Sequence, residues 1–207
     1  MISAVITERG SDEDCEAGAK AARIAIESFL KRPSMADRAV MAISRLINDG
    51  LYIMRSPKNL VMCDGAVLFM LKDTARWFIS GTSRIYHFVD GKLAHRSAEE
   101  PAPVLGARPD YKARLEAPVL LQDGRNAFLL CSGNLWEKVA VKDMERALAE
   151  SADPDGWMRA LVDLAGAETQ FCACAIFLPN KRRIPLPALA ALAAILIGIV
   201  AWLLVRS

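Results

Sequence analysis

The cysteines and histidines of this chain, the side chains best suited to hold a soft metal or attack a bond, are few. Five cysteines stand at positions 15, 63, 131, 172 and 174, an odd number without the paired spacing of a zinc site. Cys172 and Cys174 alternate within the apolar run 171–178, so at period two they face one side of a strand. A two-thiol metal site is one reading of them; buried free thiols in a reducing compartment are the expected one. His87 and His95 have no cysteine or carboxylate at ligand spacing and read as structural or surface residues. Asp12, Glu13 and Asp14 offer the oxygen ligands that hard divalent cations require. They also follow Ser11, a helix-capping residue, and acidic side chains in a first turn complement the helix dipole. No glycine-rich phosphate loop and no nucleophilic triad pattern is present.

The elements that must position these residues follow from periodicity. Residues 2–6 predict a short buried strand. A helix is expected from Ser11 to about Lys31, with Ala17, Ala21, Ile24, Ala25, Phe29 and Leu30 on one face. Pro33 interrupts it. Ser34 is expected to cap a second helix whose stripe is Ala36, Ala39, Val40, Ile43, Leu46 and Ile47, with Gly50 as terminator. The period then becomes strand-like over 60–63, 66–72, 75–80 and 83–89, with turns at Asp73-Thr74 and Asp90-Gly91. A polar loop covers 97–114, and strands are expected at 117–121 and 126–132. Helices are expected over 141–151 and from Pro154 to about Gly166, and 171–178 closes the domain as a strand. Trp77, Trp136 and Trp157 read as core or half-buried aromatics. The order predicts an α+β domain of helices layered on sheet.

The 26 basic and 24 acidic residues nearly cancel. This excludes a strongly basic nucleic-acid binder and an acidic disordered chain, so no nucleic-acid partner is expected. Residues 184–205 are apolar except for Pro185, Pro187 and Gly198, and carry no charge over 22 residues. At about 1.5 Å per residue such a helix reaches roughly 33 Å, enough for a hydrocarbon core of about 30 Å. The prolines fall in its first turn, where a missing N–H costs little, and Trp202 lies near the far end, where interfacial aromatics sit. Lys181, Arg182 and Arg183 precede the run and only Arg206 follows it, which orients the N-terminal side to the cytoplasm. The expected organisation is a domain over 1–178, a basic juxtamembrane linker over 179–183 and a single transmembrane helix over 184–205, a tail anchor. Nothing at the N-terminus reads as a signal peptide.

Four segments in order carry a resemblance. Gly81-Thr82-Ser83-Arg84-Ile85-Tyr86, with Asp90-Gly91-Lys92-Leu93 after it, resembles the Gly-Asp-Ser-Arg strand and hairpin of the metal-dependent protein phosphatases (PPM, type 2C). Leu129-Leu130-Cys131-Ser132-Gly133-Asn134-Leu135-Trp136 resembles that family's Leu-Cys-Ser-Asp-Gly-Leu-Trp segment. Residues 165–178 are similar to its closing helix end and strand, entered there through Asp-Asn, and residues 5–22 to its Asp-Gly-x-Gly-Gly loop and following helix. The resemblance implies a four-layer α-β-β-α sandwich, here shortened because the family's N-terminal hairpin has no counterpart. It also implies a cleft between the sheets in which Mg²⁺ or Mn²⁺ activates water for attack on phosphorus.

The family's aspartates are replaced. The Ser-Asp-Gly aspartate is Gly133 and the glycine after it Asn134; Asp-Asn is Thr169-Gln170; the Gly-Asp-Ser-Arg aspartate is Thr82. At the first loop the chain reads Thr7-Glu8-Arg9-Gly10-Ser11, with Glu8 the carboxylate nearest in register. Neither glycine nor a threonine hydroxyl supplies the anionic oxygen that a divalent cation needs. The expectation is therefore a membrane-tethered pseudophosphatase. It has no catalytic, metal or cofactor residues assigned, and it binds a cytoplasmic or membrane protein such as a phosphoprotein or kinase. The alternative is an active serine/threonine phosphatase with a non-standard Mg²⁺ or Mn²⁺ site built from Glu8, residues 12–14 or Glu168. Arg84 is expected to be structural, as the resemblance implies, and Trp136 to be a half-buried aromatic or to line a residual cleft.

Overall fold

A computed structural model describes residues 1–8, 15–55 and 60–179. The elements are β1 (Ile2–Glu8), α1 (Cys15–Lys31), α2 (Asp37–Ile53), β2 (Cys63–Leu71), β3 (Thr74–Ser80), β4 (Arg84–Val89), β5 (Lys92–Arg96), β6 (Arg114–Leu115), β7 (Val119–Leu120), β8 (Asn126–Cys131), α3 (Gly133–Lys138), α4 (Val141–Glu150), α5 (Pro154–Ala165) and β9 (Ala173–Phe177). They build two antiparallel sheets. One runs β1-β2-β3-β6, with β7 also on β3, and the other runs β5-β4-β8-β9.

Alternation along the strands explains the layering. Ala66, Leu68 and Met70 of β2, Trp77 and Ile79 of β3, Ile85 of β4 and Phe128 and Leu130 of β8 pack sheet against sheet. The intervening residues Val67, Phe69 and Phe78 meet Ala21, Ala25 and Phe29 of α1 and Val40, Ile43, Ile47 and Leu51 of α2. On the opposite side Tyr86, Phe88, Leu129 and Cys131 meet Met144 and Leu148 of α4 and Trp157 and Leu161 of α5. Both sheets are thus covered on both faces, which is why their central strands read as unbroken apolar runs. The expected α-β-β-α order is observed.

Several local expectations need correction. Gly50 does not end α2, which continues to Ile53. The glycine instead lets α1 approach, since a Cβ there would lie 3.2 Å from Cδ1 of Ile24. Ser34 caps nothing in α2, whose N-cap is Ala36 without a side-chain hydrogen bond. Leu46 and Leu30 are exposed, and the polar Ser44 and Asn48 are buried in α2. Asn48 is satisfied across the chain, accepting from the Gly106 N–H at 2.8 Å and donating to the Arg108 carbonyl at 3.0 Å. Of the strand expected at 60–63 only Cys63 is extended into a strand, as the first residue of β2, which runs on to Leu71 through the expected 66–72, and the strand at 117–121 shrinks to two residues. The short helix α3 was not anticipated. Cys63 and Cys131 are buried free thiols as expected, whereas Cys172 is exposed and Cys174 half-buried. Ser11, Asp12, Glu13 and Asp14, and the tail from 180 onward, lie outside the described residues. Among the described residues no helix is long and apolar enough to cross a membrane.

Candidate functional site

The replaced positions converge at one end of the sandwich. Antiparallel pairing sets Thr7 and Glu8 opposite Asp64 and Cys63. The β2–β3 register, ending at the Gly65–Ser80 pair, brings Asp64 to Gly81 and Thr82 in the same way. β8 ends at Cys131, so Ser132 and Gly133 arrive at the same end, and β9 enters from it through Cys172, whose N–H donates to Ser132 Oγ at 3.2 Å. Strand order and register therefore collect residues far apart in sequence.

The described groups at this end are tightly cross-linked. Asp64, almost fully buried, accepts from the Thr82 N–H at 3.0 Å and from the Thr82 hydroxyl at 2.8 Å. The carboxylate absent at position 82 is thus matched by one on the adjoining strand, a residue that sequence reading passed over. Its signal was an acidic side chain at the head of a strongly apolar strand. Gly81, at φ +60°, lies flat against this carboxylate; a Cβ there would be 1.7 Å from Asp64 Oδ1. Gly133 backs onto Thr82 less tightly, with an added Cβ at 2.8 Å from Thr82 Oγ1. Asn134 donates to the Gln170 carbonyl at 2.7 Å, and Thr169 spends its hydroxyl on the Ala165 carbonyl at 2.7 Å, closing the end of α5. Trp136 donates from Nε1 to the Thr82 carbonyl at 2.8 Å, and the Arg84 guanidinium lies 3.8 Å from its ring centroid. Arg84 also donates to the Glu99 carbonyl at 3.0 Å. Its role here is to clamp β4, α3 and the loop after β5.

The described residues at this end do not by themselves complete a site for two divalent cations. Among the described residues no three His, Cys, Asp or Glu side chains gather where they could hold a metal ion. Asp64 is engaged with Thr82, and Glu137 Oε1 lies 3.6 Å from where a Cβ on Gly133 would stand. Glu168 is exposed in the turn after α5. Burial pushes the Cys131 thiol up to about 12, so at neutral pH it is not a thiolate nucleophile.

The histidines are structural. His87 is fully buried and stacks on Phe128 at 4.4 Å and on the exposed His95 at 5.5 Å. Asn126 donates through Nδ2 to the Gln122 and Gly124 carbonyls, so its Oδ1 accepts, and His87 Nε2 carries the hydrogen of their 2.8 Å bond. Burial lowers the His87 pKa below its ordinary 6.5. The folded state holds the ring neutral while the unfolded chain binds a proton below that value, so this contribution is complete above pH 6.5 and declines as pH falls. The melting temperature is expected to drop on acidification from pH ~7.5 to ~5.5. The drop should be smaller in His87→Gln, measured by circular dichroism.

No protein-family model and no curated protein sequence matches the chain. Solved structures do match. The PPM Ser-Thr phosphatase MsPP of Mycobacterium smegmatis, solved in complex with cacodylate, is 16% identical over 86% of this chain and 88% of its own, with a TM-score of 0.72. PppA, a regulatory component of the type VI secretion system in Pseudomonas aeruginosa, is 18% identical over 85% of each chain, with a TM-score of 0.67. The catalytic domain of the serine threonine protein phosphatase PstP, in complex with two manganese ions, is 18% identical over 86% of this chain and 88% of its own, with a TM-score of 0.63. At these identities the likeness is one of architecture, and the chain has the fold of the PPM serine/threonine phosphatases.

Proposed function

We propose that this protein is a membrane-tethered pseudophosphatase. Its phosphatase-like domain faces the cytoplasm and binds a protein partner, a phosphoprotein or kinase, without turning it over, and 184–205 anchors it in the bilayer. The observation that carries this reading is the contact of Gly133 with Thr82. The space a metal-binding aspartate would need is filled by a hydroxyl already bonded to Asp64. Loss of one ligand would leave a hole; here neighbouring side chains have closed over it. Tethering raises the local concentration of the domain at the membrane, so contacts of modest affinity suffice there.

One observation favours the second reading, an active phosphatase with an unusual metal site: Asp64 is a buried carboxylate at this end of the sheets. Glu8 and residues 12–14 would have to complete such a site. An assay separates the two. Full-length protein in detergent is incubated with an aryl phosphate and Mn²⁺ or Mg²⁺, beside Asp64→Asn. The expected result is no metal-dependent hydrolysis above that of the variant. Turnover that needs the metal and disappears in Asp64→Asn would establish the enzyme instead.

A further inference from the structure

The strand directions give the domain two distinct poles. Every long strand runs between the end that carries Asp64, Thr82 and Gly133 and an opposite end, where Met1, Lys72, Gln122 and Leu178 meet. At that second pole the terminal amine of Met1 donates to the Met70 carbonyl at 2.8 Å, and the Leu178 N–H to the Asn126 carbonyl at 2.9 Å. A hollow of about 190 Å³ lies between them, lined chiefly by Met1, Met70, Lys72, Leu121, Leu178 and Pro179. Leu120 is 66% exposed and Met1 52% exposed beside it. β9 runs toward this pole, and the chain leaves the described structure there at Pro179.

We infer that this pole rests on the phospholipid surface and that the Asp64–Thr82–Gly133 end points away from it. The inference rests on reading 184–205 as a membrane span, as proposed above. From Pro179 to Ile184 there are five Cα–Cα steps, at most about 19 Å when fully extended. A headgroup layer of about 5–7 Å takes up part of that reach. The pole is therefore held close to the lipid whatever path the linker takes. The linker carries Lys181, Arg182 and Arg183 in its sequence, for which anionic headgroups are the matching surface; on the pole itself exposed Lys72 stands beside Asp73 and Asp123, so the basic linker supplies the attraction. Leu120 and Met1 supply apolar side chains at the level where an interface accepts them. Opposite, β2 spans eight residue steps from Leu71 back to Cys63, which places the other end roughly 26 Å farther out. A partner bound at that end is then met from the aqueous side, by a soluble domain or a long cytoplasmic extension. It is out of reach of a transmembrane segment.

The test uses the full chain in vesicles of phosphatidylcholine and phosphatidylglycerol doped with a lipid carrying a nitroxide at its headgroup. In a Cys15→Ser, Cys172→Ser, Cys174→Ser background, a thiol-reactive fluorophore is placed at Leu120→Cys or at Glu137→Cys, an exposed position on α3. Flotation of the vesicles first establishes insertion. The expected result is severalfold stronger quenching at 120 than at 137. Equal quenching at the two sites, or stronger quenching at 137, in protein that floats would overturn the orientation and leave the anchor standing. Protein that does not float with the vesicles would remove the anchor, and the orientation with it.

Discussion

Gly81→Ala is expected to lower stability by about 4 kcal/mol, a large share of what holds a domain of this size together. Two effects add. An alanine at φ +60° sits in the left-handed region, at a cost of about 1–2 kcal/mol. The larger effect is steric: the new methyl would occupy the position of the Asp64 carboxylate, 1.7 Å from Oδ1. The carboxylate must swing away and give up both hydrogen bonds from Thr82, each charge-assisted and worth about 1.5–3 kcal/mol. At about 2–4 °C per kcal/mol, the melting temperature should fall by roughly 10 °C. The mechanism predicts strong coupling. In an Asp64→Ala background nothing remains to be displaced, and Gly81→Ala should cost only about 1 kcal/mol, the backbone share. Chemical denaturation of the four proteins in the cycle measures this; equal costs in both backgrounds would show that the Gly81–Asp64 contact is not what matters.

Gly133→Asp, which restores the aspartate implied by the resemblance, is expected to destabilise the protein by about 2 kcal/mol and to recover no metal response. The opposite sign is the naive expectation. Position 133 opens α3 after the extended Ser132, and an acidic side chain at a helix start ordinarily contributes about 0.3–1 kcal/mol. Packing outweighs that gain. The new Cβ would lie 2.8 Å from Thr82 Oγ1 and 3.2 Å from Thr82 Cβ, so rotating the hydroxyl aside does not clear the contact, and it breaks the bond to Asp64 as well. Overpacking of this kind costs about 1–3 kcal/mol, and the second carboxylate close to Asp64 adds repulsion. Thr82→Gly in the same chain should recover most of the loss by emptying the space. Thermal melts with and without Mn²⁺ decide the matter. A Gly133→Asp protein as stable as the parent, or one whose melting temperature climbs with Mn²⁺, would mean that the space is open and the centre can be rebuilt by one change.

Both expectations describe the same physical condition. Thr82, Asp64, Gly81 and Gly133 fit one another, and Asn134 and Thr169 are hydrogen-bonded to Gln170 and Ala165. A cation-binding cleft depends on carboxylates held apart and kept available by their mutual charge. Here the buried carboxylate of Asp64 is satisfied by an N–H and a hydroxyl from the same residue. That interlocking suits a rigid surface for binding a protein.

Much of this was legible in the residues alone. Alternating and continuous apolar runs marked the core strands, because a strand buried on both faces has to be apolar on both. Pro154 and Gly166 bounded α5 as expected, with Asp153 accepting from the Gly156 N–H at 2.7 Å. The neutral residues at 82, 133 and 169 were visible as types, and the charge-free stretch 184–205 as a length. What the residues could not reveal was who meets whom. Gly50 reads as a helix stop until α1 is packed beside it; Asn48 reads as solvent-facing until the loop at 106–108 closes over it. Asp64 is one acid among 24 until the β2–β3 register lays it against Gly81 and Thr82, 18 residues away. Element type is set by local periodicity and turn chemistry, which a single segment carries within itself. Pairing across strands is set by long-range register, and only the folded chain decides that.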